Sequence, residues 1–107
     1  MSNSTPVMIL GMVWYKAEHY DAIRRVMADG HKLPATFHEW RMKSETGEKK
    51  HRRDGKIVVR AFIDPEAFPD WCRARGLNID AQARMQYAAT IANETVMRSH
   101  AEGDGAH

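Results

Sequence analysis

Hydrophobic residues recur along this chain with changing period, and each change marks a new element. Val7 to Tyr15 is apolar at nearly every position. Val7, Ile9, Val13 and Tyr15 fall on one face, and Met8, Leu10, Met12 and Trp14 on the other. A short run that is apolar on both faces suits a strand covered on two sides. Gly11 and the valines argue against a helix there. From Lys16 to Asp29 the period lengthens, with Ala17, Tyr20, Ile23 and Met27 at helical spacing. Asp21 and Arg25 lie one turn apart and can pair, and Gly30 is placed to end the helix.

The next helix has a strong start signal. Thr36-Phe37-His38-Glu39 matches a capping box, with Ala35 and Trp40 at the hydrophobic-staple positions. The pattern predicts a helix towards Arg53, stopped by Asp54-Gly55. It is polar after Met42, so its second half is expected to project into solvent or fray. Ile57 to Ile63 is β-branched and short, the strongest strand signal in the chain. Asp64 then reads as a helix N-cap with Pro65 at the first helical position. Pro69 predicts a break or kink in any helix over 65–75, which Gly76 closes. A last helix, capped by Asn78 or Asp80, is expected to reach about Arg98 with Ala81, Met85, Ala88, Ala92 and Val96 along one side. Residues 1–100 read as one domain and 101–107 as a small, polar, flexible tail.

This order predicts a small α+β domain: strand, two helices, strand, two helices. An even number of helices between the strands returns the chain to its starting end, so an antiparallel pair is expected. A two-stranded sheet alone is marginal in water. Strands apolar on both faces also exceed what one layer of helices covers. A homodimer that extends or stacks the sheets is therefore expected.

Composition narrows the class. A chain of 107 residues, 43% hydrophobic and 28% charged, has the size and make-up of one globular domain. Its single cysteine, Cys72, excludes an intramolecular disulfide framework and favours a reducing compartment. The apolar run Val7–Trp14 is far shorter than the roughly 20 residues of a membrane span. MSNSTP before it carries no Lys or Arg, so no secretory signal and no membrane association is expected. The cytoplasm is.

The net charge of +2 is unevenly spread. Between Arg41 and Lys56, seven Lys or Arg face three acids, a local charge of +4. The densest part is Lys49, Lys50, His51, Arg52 and Arg53. Cations favour the last turn of a helix, and Glu45 and Glu48 stand four residues before Lys49 and Arg52. No aromatic residue falls between Met42 and Val59 to stack on a base. The run reads as a solvated helix end, and nucleic-acid binding through 41–56 ranks last among the functional classes.

Reactive constellations are sparse. Cys72 stands near Arg73 and Arg75, which would favour a thiolate, but an unpaired cysteine is ordinarily a buried apolar residue. The histidines His19, His31, His38, His51, His100 and His107 show no zinc-ligand spacing. His38-Glu39 opens like a zincin motif, but Met42 stands where the second histidine belongs. No metal and no cofactor are expected. Asp64, Glu66 and Asp70 crowd one helix start, where acids are stabilising anyway; one of them with His38 would make a catalytic pair only if the fold joins them. The aromatics Trp14, Tyr15, Tyr20, Phe37, Trp40, Phe62, Phe68 and Trp71 default to core. The candidates for a binding site are His38, Trp40, Asp64, Trp71 and Cys72.

Trp14-Tyr15, Lys32-Leu33-Pro34-Ala35-Thr36, Trp40 and Asp64-Pro65-Glu66-Ala67-Phe68-Pro69-Asp70-Trp71-Cys72, followed by Gly76 and Ala83-Arg84, form a pattern of their own. It resembles that of a family of small bacterial proteins of about this length with no assigned activity. The resemblance covers Trp14 to Ala92. It implies a bacterial cytoplasmic protein and supplies no catalytic residues. The leading functional expectation is a non-enzymatic interaction or small-ligand module acting as a homodimer, with a protein or small molecule as partner. A small enzyme whose histidine or carboxylate site is assembled by the fold ranks second.

Overall fold

The two apolar runs form strands β1 (Ile9–Trp14) and β2 (Ile57–Phe62). The computed structural model describes the backbone of residues 8–105 and the side chains of residues 8–98. The strands pair in parallel, in register from Ile9 opposite Ile57 to Trp14 opposite Phe62, which corrects the antiparallel expectation. The strands run parallel because the two helices between them are unequal. The segment expected as one helix over 16–29 is a 3-10 turn, Ala17–His19, followed by α1, Tyr20–Val26. Seven helical residues advance about 10 Å, too little to cross the sheet. Helix α2 (Phe37–Arg53) has 17 residues and spans about 25 Å. It alone carries the chain back to the start of β1, where the Ile57 amide donates to the Met8 carbonyl at 2.9 Å.

Gly30 does not cap α1. It opens a second 3-10 turn, Gly30–Lys32, where a Cβ would stand 1.9 Å from the Arg24 carbonyl oxygen. Close approach, not a left-handed turn, is what requires glycine there. Among the described residues no ion pair joins Asp21 to Arg25. The Thr36 cap forms as expected: its hydroxyl oxygen accepts from the Glu39 amide at 3.1 Å. The Glu39 carboxylate, however, accepts from the Thr36 hydroxyl and not from the Thr36 amide.

Helix α3 is Ala67–Ala74, with Pro69 as its third residue. The Phe68 amide donates to the Asp64 carbonyl at 2.9 Å, but Pro69 has no amide to continue that series. Residues 65–66 therefore stay a turn, and the helix over 65–75 is shortened to Ala67–Ala74, as Pro69 leads one to expect. Asp64 caps this start, its Oδ1 accepting from the amides of Glu66 at 2.8 Å and Ala67 at 3.1 Å. Gly55 and Gly76, at φ +88° and +67°, end α2 and α3 in the left-handed region. Helix α4 (Ala81–Gly105) starts under Asp80, whose Oδ1 accepts from the Ala83 amide, and continues past the expected end at Arg98. The segment expected to be a tail is thus helical to Gly105, and residues 106–107 lie outside the described residues. The buried side of α4 carries Ala83, Arg84, Ala88 and Ala92, whereas Met85 is exposed.

The result is an α+β domain whose small sheet is covered on both faces by its own chain. Side chains alternate along a strand, so Gly11 and Met12 mark opposite faces. On Gly11's face lies α4, so close that a Cβ on Gly11 would stand 2.0 Å from the Ala88 oxygen. On Met12's face lies α2, with Met12 Cε 3.4 Å from the Cβ position of Gly47. Two-sided apolar strands therefore do not by themselves call for a second copy. The core gathers Trp14, Tyr15, Tyr20, Ile23, Met27, Trp40, Ile63, Phe68, Cys72 and Ala83. Phe62, expected inside, is 43% exposed and lies under the Lys16 ammonium, 5.9 Å from its ring centroid.

Candidate functional site

Two features stand out on the surface, one beside the sheet and one beyond its end. Beside the sheet, β1 pairs with β2 along one edge only. Its other edge floors a groove of about 470 Å³, to which five consecutive residues contribute, Ile9 through Val13. One wall is α4, through Met85, Ala88, Ala89, Ala92 and Asn93, and His51 of α2 closes the other side. Met8, Ile9 and Met85 are exposed at its margins. Consecutive strand residues facing a groove offer backbone amides and carbonyls as well as side chains.

Beyond the sheet, the carboxyl ends of parallel strands are where open α/β folds place ligands. Asp64 sits two residues past β2. With Ala67, Phe68 and Trp71 of α3 and Tyr87 of α4 it lines a cavity of about 180 Å³. Tyr87 stands edge-on to Trp71, with centroids 5.2 Å apart at 89°, and to Phe68 at 5.7 Å and 82°. Phe68 and Trp71 are nearly parallel at 5.8 Å. The backbone amides of Ala67 and Glu66 hold the Asp64 carboxyl below its ordinary range, helped by His19 and Lys16 at the end of β1. Burial raises the Tyr87 phenol, and the Glu94 and Asp64 charges add to the shift. The His19 Nδ1 atom is buried without a hydrogen-bond partner.

The sequence-selected residues separate. Asp64 and Trp71 meet in this cavity. Cys72, beside them in sequence, points the other way into the core, and burial pushes its thiol upward. Trp40 is buried too, in a cluster with Trp14, Tyr15, Tyr20 and Phe37. His38 is exposed on the first turn of α2, and the histidine that acts on Asp64 is His19. His100 and His107 lie outside the described side chains. Tyr87 went unselected, although it stands four residues after Ala83 on the buried side of α4.

The basic run is differently wired from the sequence expectation. Lys49, Lys50, Arg52 and Arg53 are all exposed on the last turns of α2. Glu45 pairs with Arg41 at 3.0 Å, not with Lys49. Glu48 is buried. It takes Arg60 of β2 in two hydrogen bonds of 2.7 and 2.8 Å and Arg52 only at 3.5 Å. These guanidinium contacts, Arg60 foremost, lower the Glu48 carboxyl's pKa. Arg60 also lies over Trp14, its guanidinium carbon 4.0 Å from the ring centroid. The second half of α2 is thereby docked to the sheet and neither projects nor frays. A second bidentate pair, the buried Arg84 with the half-buried Asp29 at 2.8 and 2.9 Å, ties α4 to the loop after α1.

Among the described residues no three His, Cys, Asp or Glu side chains gather as a metal site, and no helix is long and apolar enough to cross a membrane. Compared with known protein families, curated proteins and solved structures, the chain matches none.

Proposed function

We propose that this chain is a non-enzymatic association module whose working unit is a homodimer joined through the open edge of β1. The observation that carries this reading is the groove of about 470 Å³ floored by residues 9–13 and walled by α4. An unpaired strand edge beside an apolar wall is a template for another strand. A second copy suits it because a twofold axis pairs an edge with itself antiparallel, residue for residue. Such pairing yields a four-stranded sheet in the order β2-β1-β1-β2, past the marginal two-strand size. Ala89 and Met85 of each copy then flank the partner's strand. The sequence resemblance and the lone buried cysteine support a bacterial cytoplasmic setting.

Sedimentation equilibrium tests this. The expected species has twice the 12.2 kDa chain mass at micromolar concentration. Ala89→Glu, which puts a charge on an exposed groove position, is expected to give monomer, whereas Met42→Lys on the exposed side of α2 leaves the dimer intact. A monomer at all concentrations, or a dimer indifferent to Ala89→Glu, overturns the proposal.

A further inference from the structure

We infer that the cavity between α3 and α4 is a binding site for a small organic cation, an alkylammonium or quaternary ammonium group. Aromatic side chains form most of its lining, with Tyr87 set at right angles to both Trp71 and Phe68. Ring faces carry partial negative charge and attract cations, most strongly on Trp. Trp71 and Tyr87 both line the cavity with their ring planes perpendicular, so a cation there meets aromatic surface of two orientations. One face of Trp71 already carries such a contact, with the Arg75 guanidinium carbon 4.2 Å from the ring centroid, so the cavity draws on its remaining aromatic surface.

Charge decides between a cation and a neutral apolar group. Asp64 is the one formally charged side chain in the lining. Its Oδ1 is engaged by two backbone amides, and these keep the carboxyl ionised. Its Oδ2 takes no hydrogen bond from a described residue, and no described Lys, Arg or His reaches Asp64 as an ion pair. Asp64 is exposed at the margin of the cavity, so a cationic guest gains an electrostatic attraction there that a neutral guest of the same shape does not. An ammonium group would satisfy carboxylate and rings together. Lys16 and His19 act on Asp64 from the side of β1, and Glu94 acts on Tyr87 from α4, so the cavity lies between basic and acidic neighbours with its own charge negative.

Size sets the ligand class. A cavity of about 180 Å³ is below the roughly 300–1,000 Å³ of drug-sized sites, and suits a head group rather than a whole metabolite. The location agrees, since the pocket opens beyond the carboxyl end of a parallel strand. This site uses none of the β1 groove and is independent of dimer formation.

The test compares choline with 3,3-dimethylbutan-1-ol, its uncharged isostere, by titration of the intact protein while following the Trp71 and Tyr87 ring resonances by NMR. Choline is expected to shift these resonances saturably and to bind about tenfold or more tightly than the alcohol. Asp64→Asn retains a capping side chain and is expected to abolish the preference for choline. Tyr87→Leu is expected to weaken choline severalfold. Equal affinity for the two probes, absence of a saturable shift, or unchanged choline binding in Asp64→Asn would each overturn the inference. Should either variant fail to fold, the comparison of the two probes on the unaltered chain still decides it.

Discussion

At the scale of single residues, two acids, Glu48 and Asp29, do more than sequence spacing shows. Glu48 was legible as a helical partner of Arg52, four residues on. Its stronger partner is Arg60, across a helix and a turn, and that contact exists only once α2 is laid on the sheet. The Asp29–Arg84 pair is less legible still, since its members stand 55 positions apart. Both acids have depressed pKa values, chiefly through hydrogen bonds from their arginines. A carboxyl depressed in the folded state contributes stability fully above its unfolded value near 4, and loses it as pH falls through the lower folded value. Glu48→Gln is therefore expected to cost about 2 kcal/mol at pH 7. In urea titrations its deficit against the unaltered protein should shrink below pH 4. A deficit constant with pH would mean that the Glu48 charge does not stabilise the fold. Cys72 gives a second residue-scale prediction. It is fully buried with a raised thiol pKa, so thiol reagents should label it slowly when native and rapidly in denaturant. Rapid native labelling would show that α3 opens readily.

Elements were legible where their signals are local. Thr36, Gly55, Asp64, Gly76 and Asp80 mark helix starts and stops through contacts within four residues, and the structure uses each of them. Failures came where a neighbour far along the chain decides. Gly30 carries the right residue for a helix stop but is selected by contact with the Arg24 carbonyl. The second half of α2 lacks an apolar stripe yet is held by one carboxylate. Gly11 argued against a helix in sequence; in the structure it lets α4 touch β1, a packing partner that no local pattern names. Gly11→Ala puts a methyl carbon where the Ala88 oxygen now stands within 2.0 Å. Backbone, not a flexible side chain, must yield. The expected cost is about 1–3 kcal/mol, read as a lower thermal midpoint, with near-ultraviolet circular dichroism retained if α4 simply moves outward. An unchanged midpoint would mean that α4 is not seated on β1 as described.

On the scale of the whole molecule, the sequence leads to the α+β class and to a second copy for two reasons. The structure removes one, the uncovered sheet faces, and keeps the other, a sheet of only two strands. The faces of the sheet are covered by α2 and α4; the edges are not. Strand direction was illegible because it depends on whether α1 is long enough to cross the sheet, and seven residues are not. Of the two open edges the one beside β1 floors the apolar groove, and a two-stranded sheet with free edges gains most from an added strand. If folding and dimer formation are coupled, stability depends on protein concentration. A hundredfold rise is worth about 2.7 kcal/mol per dimer. Shared between two domains of this size, it raises the thermal midpoint by roughly 5–10 °C. The midpoint measured by calorimetry from a few micromolar to a few hundred micromolar should therefore climb for the unaltered chain and stay flat for Ala89→Glu, whose added carboxylate would face the partner's strand. A flat midpoint for both would show that two parallel strands between α2 and α4 suffice, and would leave the groove without the occupant assigned to it.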